Sequence, residues 1–325
     1  MRLVIPLLLW WAGLLALPAQ SSVGRLERFE LFKNQYVRLA DWAAANSFEL
    51  KWIRPDEDLV VKSDWARLVF TVDSRKAEIN GVSVWLSVNV AKRNGSVYVS
   101  PLDLLTIVHP VLFPPKNGPG QKIKTICLDP GHGGKDPGNQ TSRIQEKKLT
   151  LLLTEELQKQ LKDAGFKVVL TRSEDTFVDL AARPASANKH RADLFLSLHF
   201  NAAENSGASG VETYCLTPSH ASSTNARGDG ANTGAYPGNR LNDKNMALAY
   251  HMQKTLVKNL EAEDRGVRRA RFAVLKAPEM PTVLIESAFM TDPGDLKKIL
   301  DPAYRKKLAR AIVDGVRSYK KIVER

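Results

Sequence analysis

The pattern of apolar and polar positions along residues 121–325 alternates between the periods typical of strands and of helices. Short apolar runs predict strands at 124–129, 166–171, 192–199, 210–216, 272–275 and 282–286. Leucines three or four residues apart predict a helix at 146–164, and helices are also predicted at 180–189, 244–261 and 301–320. This alternation predicts an α/β fold, a three-layer domain with a mostly parallel sheet flanked by helices. Ligands of such sheets bind at the carboxyl ends of the strands.

Residues 23–112 have shorter runs and more turn residues, which predict a small α+β module. Its β-rich runs are 48–53, 68–72, 82–86 and 96–100, and its short helices are predicted at 36–46 and 102–108. Every tryptophan after the first 21 residues lies before residue 90, which predicts a core separate from that of the later domain. The segment 113–120, rich in proline and glycine, is predicted to link this accessory module to a domain at 121–325.

The first 21 residues have the pattern of a secretory signal peptide. Arg2 precedes an almost wholly apolar stretch at 3–17, and Pro18 and small residues follow it as far as Ser21. We therefore predict cleavage after Ser21, no membrane span in the mature chain, and export to the periplasm or cell envelope. An uncleaved N-terminal anchor is the alternative, although the apolar run is shorter than the ~20 residues that span a bilayer.

Charge and cysteine content narrow the expected partners. The 325 residues include 47 Lys and Arg against 35 Asp and Glu, a net charge of +12, which favours contact with an anionic polymer. An exported protein is not expected to bind nucleic acid, so an envelope polymer is the predicted partner. Only Cys127 and Cys215 are present, which excludes a disulfide scaffold and a cysteine-rich zinc module. We expect two buried free thiols, with a disulfide between them as the alternative.

Potential metal ligands stand at the ends of several predicted elements. His132 follows the strand at 124–129, His199 and Glu286 end two later strands, and Glu146 opens the first long helix. Two imidazoles and one carboxylate are a common zinc-ligand set in hydrolases, with water in the fourth position. A second carboxylate that does not bind the metal can serve as general acid and base. Taken singly, each residue also has a structural interpretation: a tight turn, a core histidine or a partner of the helix dipole.

Longer motifs surround these residues. They are Asp-Pro-Gly-His-Gly-Gly at 129–134, Ser-Leu-His-Phe-Asn at 197–201 and Leu-Ile-Glu-Ser at 284–287. Together with the stretches 146–151, 210–214 and 272–275, their order and spacing resemble the Amidase_3 family of zinc-dependent N-acetylmuramoyl-L-alanine amidases. The match extends over 124–320, almost the whole second domain.

The resemblance implies a zinc ion bound by His132, Glu146 and His199, with Glu286 as the catalytic acid and base. It also implies peptidoglycan as substrate, cleaved at the amide between N-acetylmuramic acid and L-alanine. Asn201 at the end of the second motif is a candidate substrate-binding residue. Arg271 is another, since Arg268, Arg269 and Arg271 either hold stem-peptide carboxylates or form a solvated basic face.

Two further features bear on regulation and on the accessory module. Amidases of this family that an activator controls carry a blocking helix, whereas residues 217–243 here are rich in glycine and asparagine and predict a mobile loop. We therefore expect no autoinhibition, and leave dependence on an activator protein open. We also expect the protein to be a monomer. Ile-Asn-Gly at 79–81 and the run 94–102 resemble the copper amine oxidase N-terminal-like domain, which implies an accessory module without a copper site.

Two other functions remain compatible with the sequence. A stem-peptide carboxypeptidase would use the same zinc chemistry on a different bond. A non-catalytic wall-binding protein could keep the fold, but loss of a ligand or of the last glutamate would mark it, and all four residues are present.

Overall fold

The computed structural model describes residues 23–141, 143–204, 207–225 and 234–324. The predicted signal peptide at 1–21 lies outside these ranges. None of the helices within them is both long enough and apolar enough to cross a bilayer.

The described residues form the following elements. The strands are β1 (Phe29–Leu31), β2 (Asn34–Arg38), β3 (Glu49–Arg54), β4 (Asp58–Lys62), β5 (Arg67–Thr71), β6 (Lys76–Ile79), β7 (Val82–Trp85), β8 (Ala91–Arg93), β9 (Ser96–Val99), β10 (Thr125–Pro130), β11 (Gln140–Thr141), β12 (Ile144–Gln145), β13 (Lys167–Leu170), β14 (Leu194–Asn201), β15 (Val211–Leu216), β16 (Asp264–Ala270) and β17 (Thr282–Phe289). The α-helices are α1 (Leu39–Ala45), α2 (Pro101–Asp103), α3 (His109–Leu112), α4 (Glu146–Asp163), α5 (Ala182–Lys189), α6 (Asn242–Leu260), α7 (Ala273–Lys276), α8 (Pro293–Leu300) and α9 (Pro302–Val323). A π-helical turn, Leu104–Val108, joins α2 to α3, and a 3₁₀ helix, Pro237–Leu241, precedes α6.

The part of the chain that the structure describes contains one large sheet of eleven strands. Its order is β13-β10-β14-β17-β15-β16-β7-β6-β5-β4-β3. From β13 to β16 the neighbours are parallel, except that β15 runs antiparallel to β17. The carboxyl ends of β10, β14 and β17 therefore lie side by side at one edge. Smaller sheets pair β1-β2-β9-β8 and β11-β12.

Alternate residues of the central strands face opposite layers of helices. Ile126 and Leu128 of β10 belong to a hydrophobic cluster with α4, α6 and α9. Cys127, between them, belongs to a second cluster with residues of α5 and α7. Because successive side chains of a strand point to opposite faces, this division places one helix layer on each side of the sheet. The predicted three-layer α/β domain with a mostly parallel sheet is confirmed. Cys127 and Cys215 are both buried free thiols, as expected.

The N-terminal module is part of this sheet, so the prediction of two separate cores is wrong. Strand β7 pairs in parallel with β16 at Val84 and Val267, and β6 to β3 extend the sheet by antiparallel pairing. One hydrophobic cluster contains buried residues of both regions. Tryptophan content misled the prediction, because of the four only Trp42 is buried.

The segment 113–120 is docked on the domain at 121–325. The backbone N–H of Asn117 donates to the carbonyl of Val323, and Lys116 Nζ donates to that of Ile322, at 2.7 Å each. The last carbonyls of a helix lack partners within the helix. Residues of the predicted linker therefore cap the end of α9.

Some predicted elements differ from those observed. The apolar run at 272–275 was predicted to be a strand, but most of it forms helix α7. The strand of this region is β16, which lies just before that run. The periodicity of so short a run cannot distinguish a strand from a helix. Helix α8 was missed, although the Asp292 side chain caps it by accepting from the N–H of Asp295. The helix predicted at 36–46 begins only at Leu39, after β2. Helix α9 begins after Asp301, whose side chain caps it by accepting from the N–H of Ala303.

Candidate metal centre and active site

Three elements bring His132, Glu146 and His199 together at the carboxyl edge of the sheet. His132 lies two residues beyond β10, Glu146 is the first residue of α4, and His199 is on β14. The Glu146 carboxylate lies between the rings: Oε2 is 3.0 Å from His132 Nε2, and Oε1 is 2.9 Å from His199 Nδ1. Potential ligand atoms of the three residues all lie within 4.8 Å of one another. The structure thus assembles the set of residues that the sequence singled out.

Backbone and side-chain contacts fix the orientation of this cluster. The buried carboxylate of Glu146 accepts hydrogen bonds from the N–H groups of Asn139 and Phe200, at 2.9 and 3.1 Å. His132 Nδ1 lies 2.9 Å from Asp136 Oδ2. A carboxylate on the second nitrogen of a metal-binding histidine orients the ring and makes it a better ligand.

Electrostatics favour a cation at the cluster. Burial opposes the charge on Glu146, but hydrogen bonds from His132 and His199 hold the pKa of this carboxyl far below its usual range. Burial likewise opposes protonation of His132, but Glu146 and Asp136 outweigh it and raise its pKa. The negative charges of Glu146 and Asp136 therefore favour a positive charge close to the His132 ring. Two imidazole nitrogens and a carboxylate oxygen are donors that zinc prefers, so the residues fit this ion.

Two glycines leave the space that the cluster occupies. A Cβ at Gly131 would lie 2.3 Å from the His199 ring. A Cβ at Gly138 would lie 2.5 Å from the His132 ring and 2.7 Å from Glu146 Oε2. Gly138 also has a φ of +66°, a conformation that other residues rarely adopt. Glycine at positions 131 and 138 therefore leaves room for the side chains of His132, Glu146 and His199 to approach one another.

Glu286 lies beside the cluster on β17. It is in register with His199 on the parallel neighbour β14 and with Glu212 on the antiparallel neighbour β15. Burial, with contributions from Glu146 and Glu212, raises the pKa of Glu286 well above its usual value. Its Oε2 is buried and has no hydrogen-bond partner among the described residues. A buried polar atom without a partner is costly, which marks Glu286 as a candidate for chemistry on a ligand.

A cavity of about 310 Å³ contains the cluster and Glu286. Its lining is apolar on one side, with Leu180 and Phe272 both partly exposed to solvent. A larger cavity, about 420 Å³, lies elsewhere, between the N-terminal module and Ser222. We assign the chemistry to the smaller cavity, because it alone of the two is lined by His132, Glu146, His199 and Glu286.

A family model for N-acetylmuramoyl-L-alanine amidases, Amidase_3, matches residues 126–318. This range includes His132, Glu146, His199 and Glu286. The chain belongs to this family. The amidase LytC of Bacillus subtilis is 37% identical over 196 residues, which cover 60% of this chain and 35% of LytC. The amidase AmiC of Neisseria meningitidis is 34% identical over 228 residues, 63% of this chain and 55% of AmiC. The chain therefore spans one third to one half of the length of these relatives.

A solved amidase structure has the same fold. The structure of the amidase AmiC2 of Nostoc punctiforme is 30% identical, covers 62% of this chain and 99% of that chain, and has a TM-score of 0.52. The likeness therefore covers a whole amidase domain, whereas the family match leaves residues 23–125 of this chain unmatched.

The two candidate substrate-binding residues of this amidase-family chain contact other protein groups. Asn201 Nδ2 donates to Glu212 Oε1 at 2.6 Å. The Arg271 guanidinium donates to the carbonyls of Pro218 and Ala221 and to Ser223 Oγ. Neither belongs to the described lining of the small cavity. In this structure Arg271 therefore holds the loop at 218–223, and its role in substrate binding stays a prediction.

The interpretation of the arginine run as a solvated basic face is wrong for two of its members. Arg269 is 2% exposed and donates to the Thr106 carbonyl, and Arg268 pairs with buried Glu212. Sequence reasoning missed Glu212, although it is a charged residue inside the otherwise mostly apolar run at 210–216. It also missed Asp136, which stands one helical turn's spacing after His132 but lies in a loop.

Proposed function

We propose that the chain is a zinc-dependent hydrolase that cleaves the amide between N-acetylmuramic acid and L-alanine in peptidoglycan. One observation carries the proposal: in a domain of the amidase family, His132, Glu146 and His199 form a zinc-type ligand set directly beside an unpartnered carboxylate oxygen of Glu286. Asp136 supports it by orienting His132.

Zinc held by His132, Glu146 and His199 would polarise the scissile carbonyl and lower the pKa of an attacking water. The protein's own contribution to proton transfer comes from Glu286. As the cross-strand neighbour of His199, it is placed to accept a proton from the attacking water. It then donates that proton to the departing nitrogen, so that the C–N bond breaks into a lactyl carboxylate and the amine of L-alanine.

The raised pKa of Glu286 suits both halves of this cycle. A carboxylate with an ordinary pKa is a weak base and holds an accepted proton poorly at neutral pH. Burial and two nearby carboxylates make Glu286 a stronger base. It therefore holds the accepted proton until it passes that proton to the departing nitrogen. Leu180 and Phe272 lie on the apolar side of the same cavity.

The rival functions predict different products. A stem-peptide carboxypeptidase would release a terminal amino acid and leave the lactyl amide intact. A wall-binding protein would release nothing, and the assembled site argues against it because all four residues line one cavity. Family membership favours the lactyl amide.

The remaining assignments complete the proposal. The chain is exported after removal of residues 1–21 and acts as a monomer in the periplasm or cell envelope. Residues 121–325 form the catalytic domain, 113–120 the connection, and 23–112 an accessory module similar to the copper amine oxidase N-terminal-like domain. The basic surplus of the chain supports contact with an anionic wall polymer.

Mass spectrometry of peptidoglycan digested by the purified protein tests this function. We expect glycan strands with free lactyl groups together with intact stem peptides. Glu286→Gln should keep its metal and lose activity by roughly 10²–10⁴-fold, since it removes the base and keeps the side-chain size. The matched control is Glu155→Gln, an exposed glutamate of α4, which should digest at the parent rate. Release of single amino acids, or full activity of Glu286→Gln, would contradict the proposal.

A further inference from the structure

Glu212 is a buried carboxylate next to the catalytic pocket that neither zinc binding nor proton transfer uses. It is 2% exposed and stands on β15 directly opposite Glu286 on β17. Side chains of a directly opposed antiparallel pair lie on the same face of the sheet, and like charges in such a pair repel. The position of the Glu212 carboxylate therefore affects the electrostatic repulsion that the Glu286 carboxylate experiences.

Groups on three strands fix the Glu212 carboxylate. Asn201 of β14 donates to Oε1 at 2.6 Å, and Tyr214 OH lies 3.3 Å from Oε2. Arg268 of β16 pairs with Oε2 through its Nε, and Arg265 Nε lies 3.8 Å from Oε1. Since β14 and β15 flank β17, the Asn201–Glu212 bond bridges across the strand that carries Glu286. A buried carboxylate needs such partners to stay charged.

The N-terminal module contributes one of the contacts that hold Arg268, beside the hydrogen bond that Arg268 Nη1 donates to Asn225 Oδ1 at 3.0 Å. The guanidinium carbon of Arg268 lies 4.7 Å from the centre of the Trp85 ring, at the end of β7. Trp85 Nε1 donates to the Arg265 carbonyl at 2.8 Å, which anchors the ring over β16. An arginine on the face of a tryptophan gains a cation–π attraction and loses freedom to move.

Further contacts make β7 a rigid support for Trp85. Its Val84 pairs with Val267 of β16, and the N–H of Ser83 donates to Asp264 Oδ2 at 2.7 Å. Close by, buried Asp103 lies 3.9 Å from Arg269. Trp85 therefore sits on a strand that is joined to β16 by backbone pairing and by hydrogen bonds.

We propose that Trp85 and Arg268 are positioning residues that hold Glu212 beside Glu286, so that the N-terminal module sets the geometry of the catalytic acid and base. The proposal rests on the function assigned to Glu286 above. Without the Trp85 ring, Arg268 can turn away from Glu212, which then loses its main charge partner. The Glu286 carboxylate no longer faces a fixed negative neighbour, and its approach to the reacting water and nitrogen changes.

The first test compares tryptophans within the same module. Trp85→Ala should lower kcat on soluble muropeptides by roughly tenfold, corresponding to a loss of about one cation–π contact, and leave KM and metal content near the parent values. Trp85→Phe restores the aromatic face and should recover most of the rate. Trp52→Ala is the matched control: Trp52 lies on β3 at the far edge of the sheet, where Lys92 stands 6.0 Å from its ring, and its loss should leave kcat unchanged.

A double-mutant cycle supplies a readout that a merely structural role would not move. Glu212→Gln keeps the side-chain size and one acceptor oxygen but removes the charge, so it should lower kcat as Trp85→Ala does, and the two changes together should cost little more than one. Should Trp85→Ala fail to fold, Arg268→Lys in the same cycle replaces it. A folded Trp85→Ala with the parent kcat, or fully additive losses, would overturn the proposal. A parent that does not hydrolyse the lactyl amide overturns the function as well, whereas an active parent with uncoupled variants overturns only the positioning role.

Discussion

Gly131 and His199 show how a single missing side chain shapes the site. The His199 ring occupies the space where a Cβ at position 131 would lie, 2.3 Å away. Because the clash is with a ring held by Glu146, the ring cannot move without losing that contact. The residue at 131 therefore controls the orientation of a candidate metal ligand on the neighbouring strand.

Gly131→Ala should displace the His199 ring and lower zinc affinity by 10–100-fold, in the range found for changes that disturb ligand orientation. Gly118→Ala is the control, since a Cβ there would only touch Gln121 at 3.4 Å. Competition with a chelator measures the affinity of each variant. Equal affinity of the Gly131 variant and the parent would show that the ring has another position available.

His199→Ala should abolish stoichiometric zinc in the purified protein, because two ligands and water hold this ion poorly. The parent should contain about one zinc per chain. His190→Ala is the control: His190 is exposed beyond α5, and its Nδ1 faces the Ser186 carbonyl. Elemental analysis of the three proteins decides the matter, and undiminished zinc in the His199 variant would refute the ligand assignment.

At the scale of elements, the strands that carry the site could be predicted from local pattern. β10, β14 and β17 are buried on both faces, so they read as apolar runs, and the polar residue that ends each run stands out. Strand β16 could not be predicted, because its charged residues are buried by partners from distant parts of the chain. The contact of Trp85 with Arg268 and that of Asp103 with Arg269 cannot be recognised from the local sequence. For the same reason, the direction of Asn201 towards Glu212 could not be read from its motif.

The contact between helices α6 and α9 makes stability depend on pH. His251 of α6 lies with its Nδ1 2.8 Å from Ser318 Oγ of α9. Burial, with a smaller effect of Lys254, lowers the pKa of His251 to about 4. The unfolded chain binds this proton near pH 6.5, so the folded state binds fewer protons between the two values. Its contribution to stability is therefore complete above about pH 6.5 and is lost as pH falls towards 4.

His251→Gln should remove this dependence. Between pH 7 and 4 the parent should lose roughly 3 kcal/mol or less that the variant does not lose, as the shift in pKa implies. Denaturant unfolding at several pH values measures the difference, with exposed His190→Gln as control. Parallel stability curves for the parent and the His251 variant would show that His251 titrates alike in the folded and unfolded chain.

At the scale of the whole molecule, the accessory module and the catalytic domain share one sheet and one hydrophobic cluster. Removing residues 23–120 would expose β16 along its edge with β7. Val267, 1% exposed, would face water, and Arg269 would lose both Asp103 and Thr106. An unpaired apolar strand edge favours aggregation. The difference in tryptophan content that predicted two cores thus distinguishes two regions of a single core.

A protein beginning at Gln121 should therefore be unstable and inactive, even on small soluble muropeptides that need no binding to the wall. The expected result is a lower melting temperature or aggregation, measured by thermal unfolding and light scattering beside the activity assay. The control inserts a short Gly-Ser stretch after exposed Gly118, which lengthens the connection but keeps both regions and should leave folding and activity near the parent level. Co-expression of 23–120 with 121–325 should restore activity if β7 can still pair with β16. A truncated protein that melts at the parent temperature and cleaves muropeptides at the parent rate would mean that the module supports neither the fold nor Glu286, and that the shared sheet contributes nothing to catalysis.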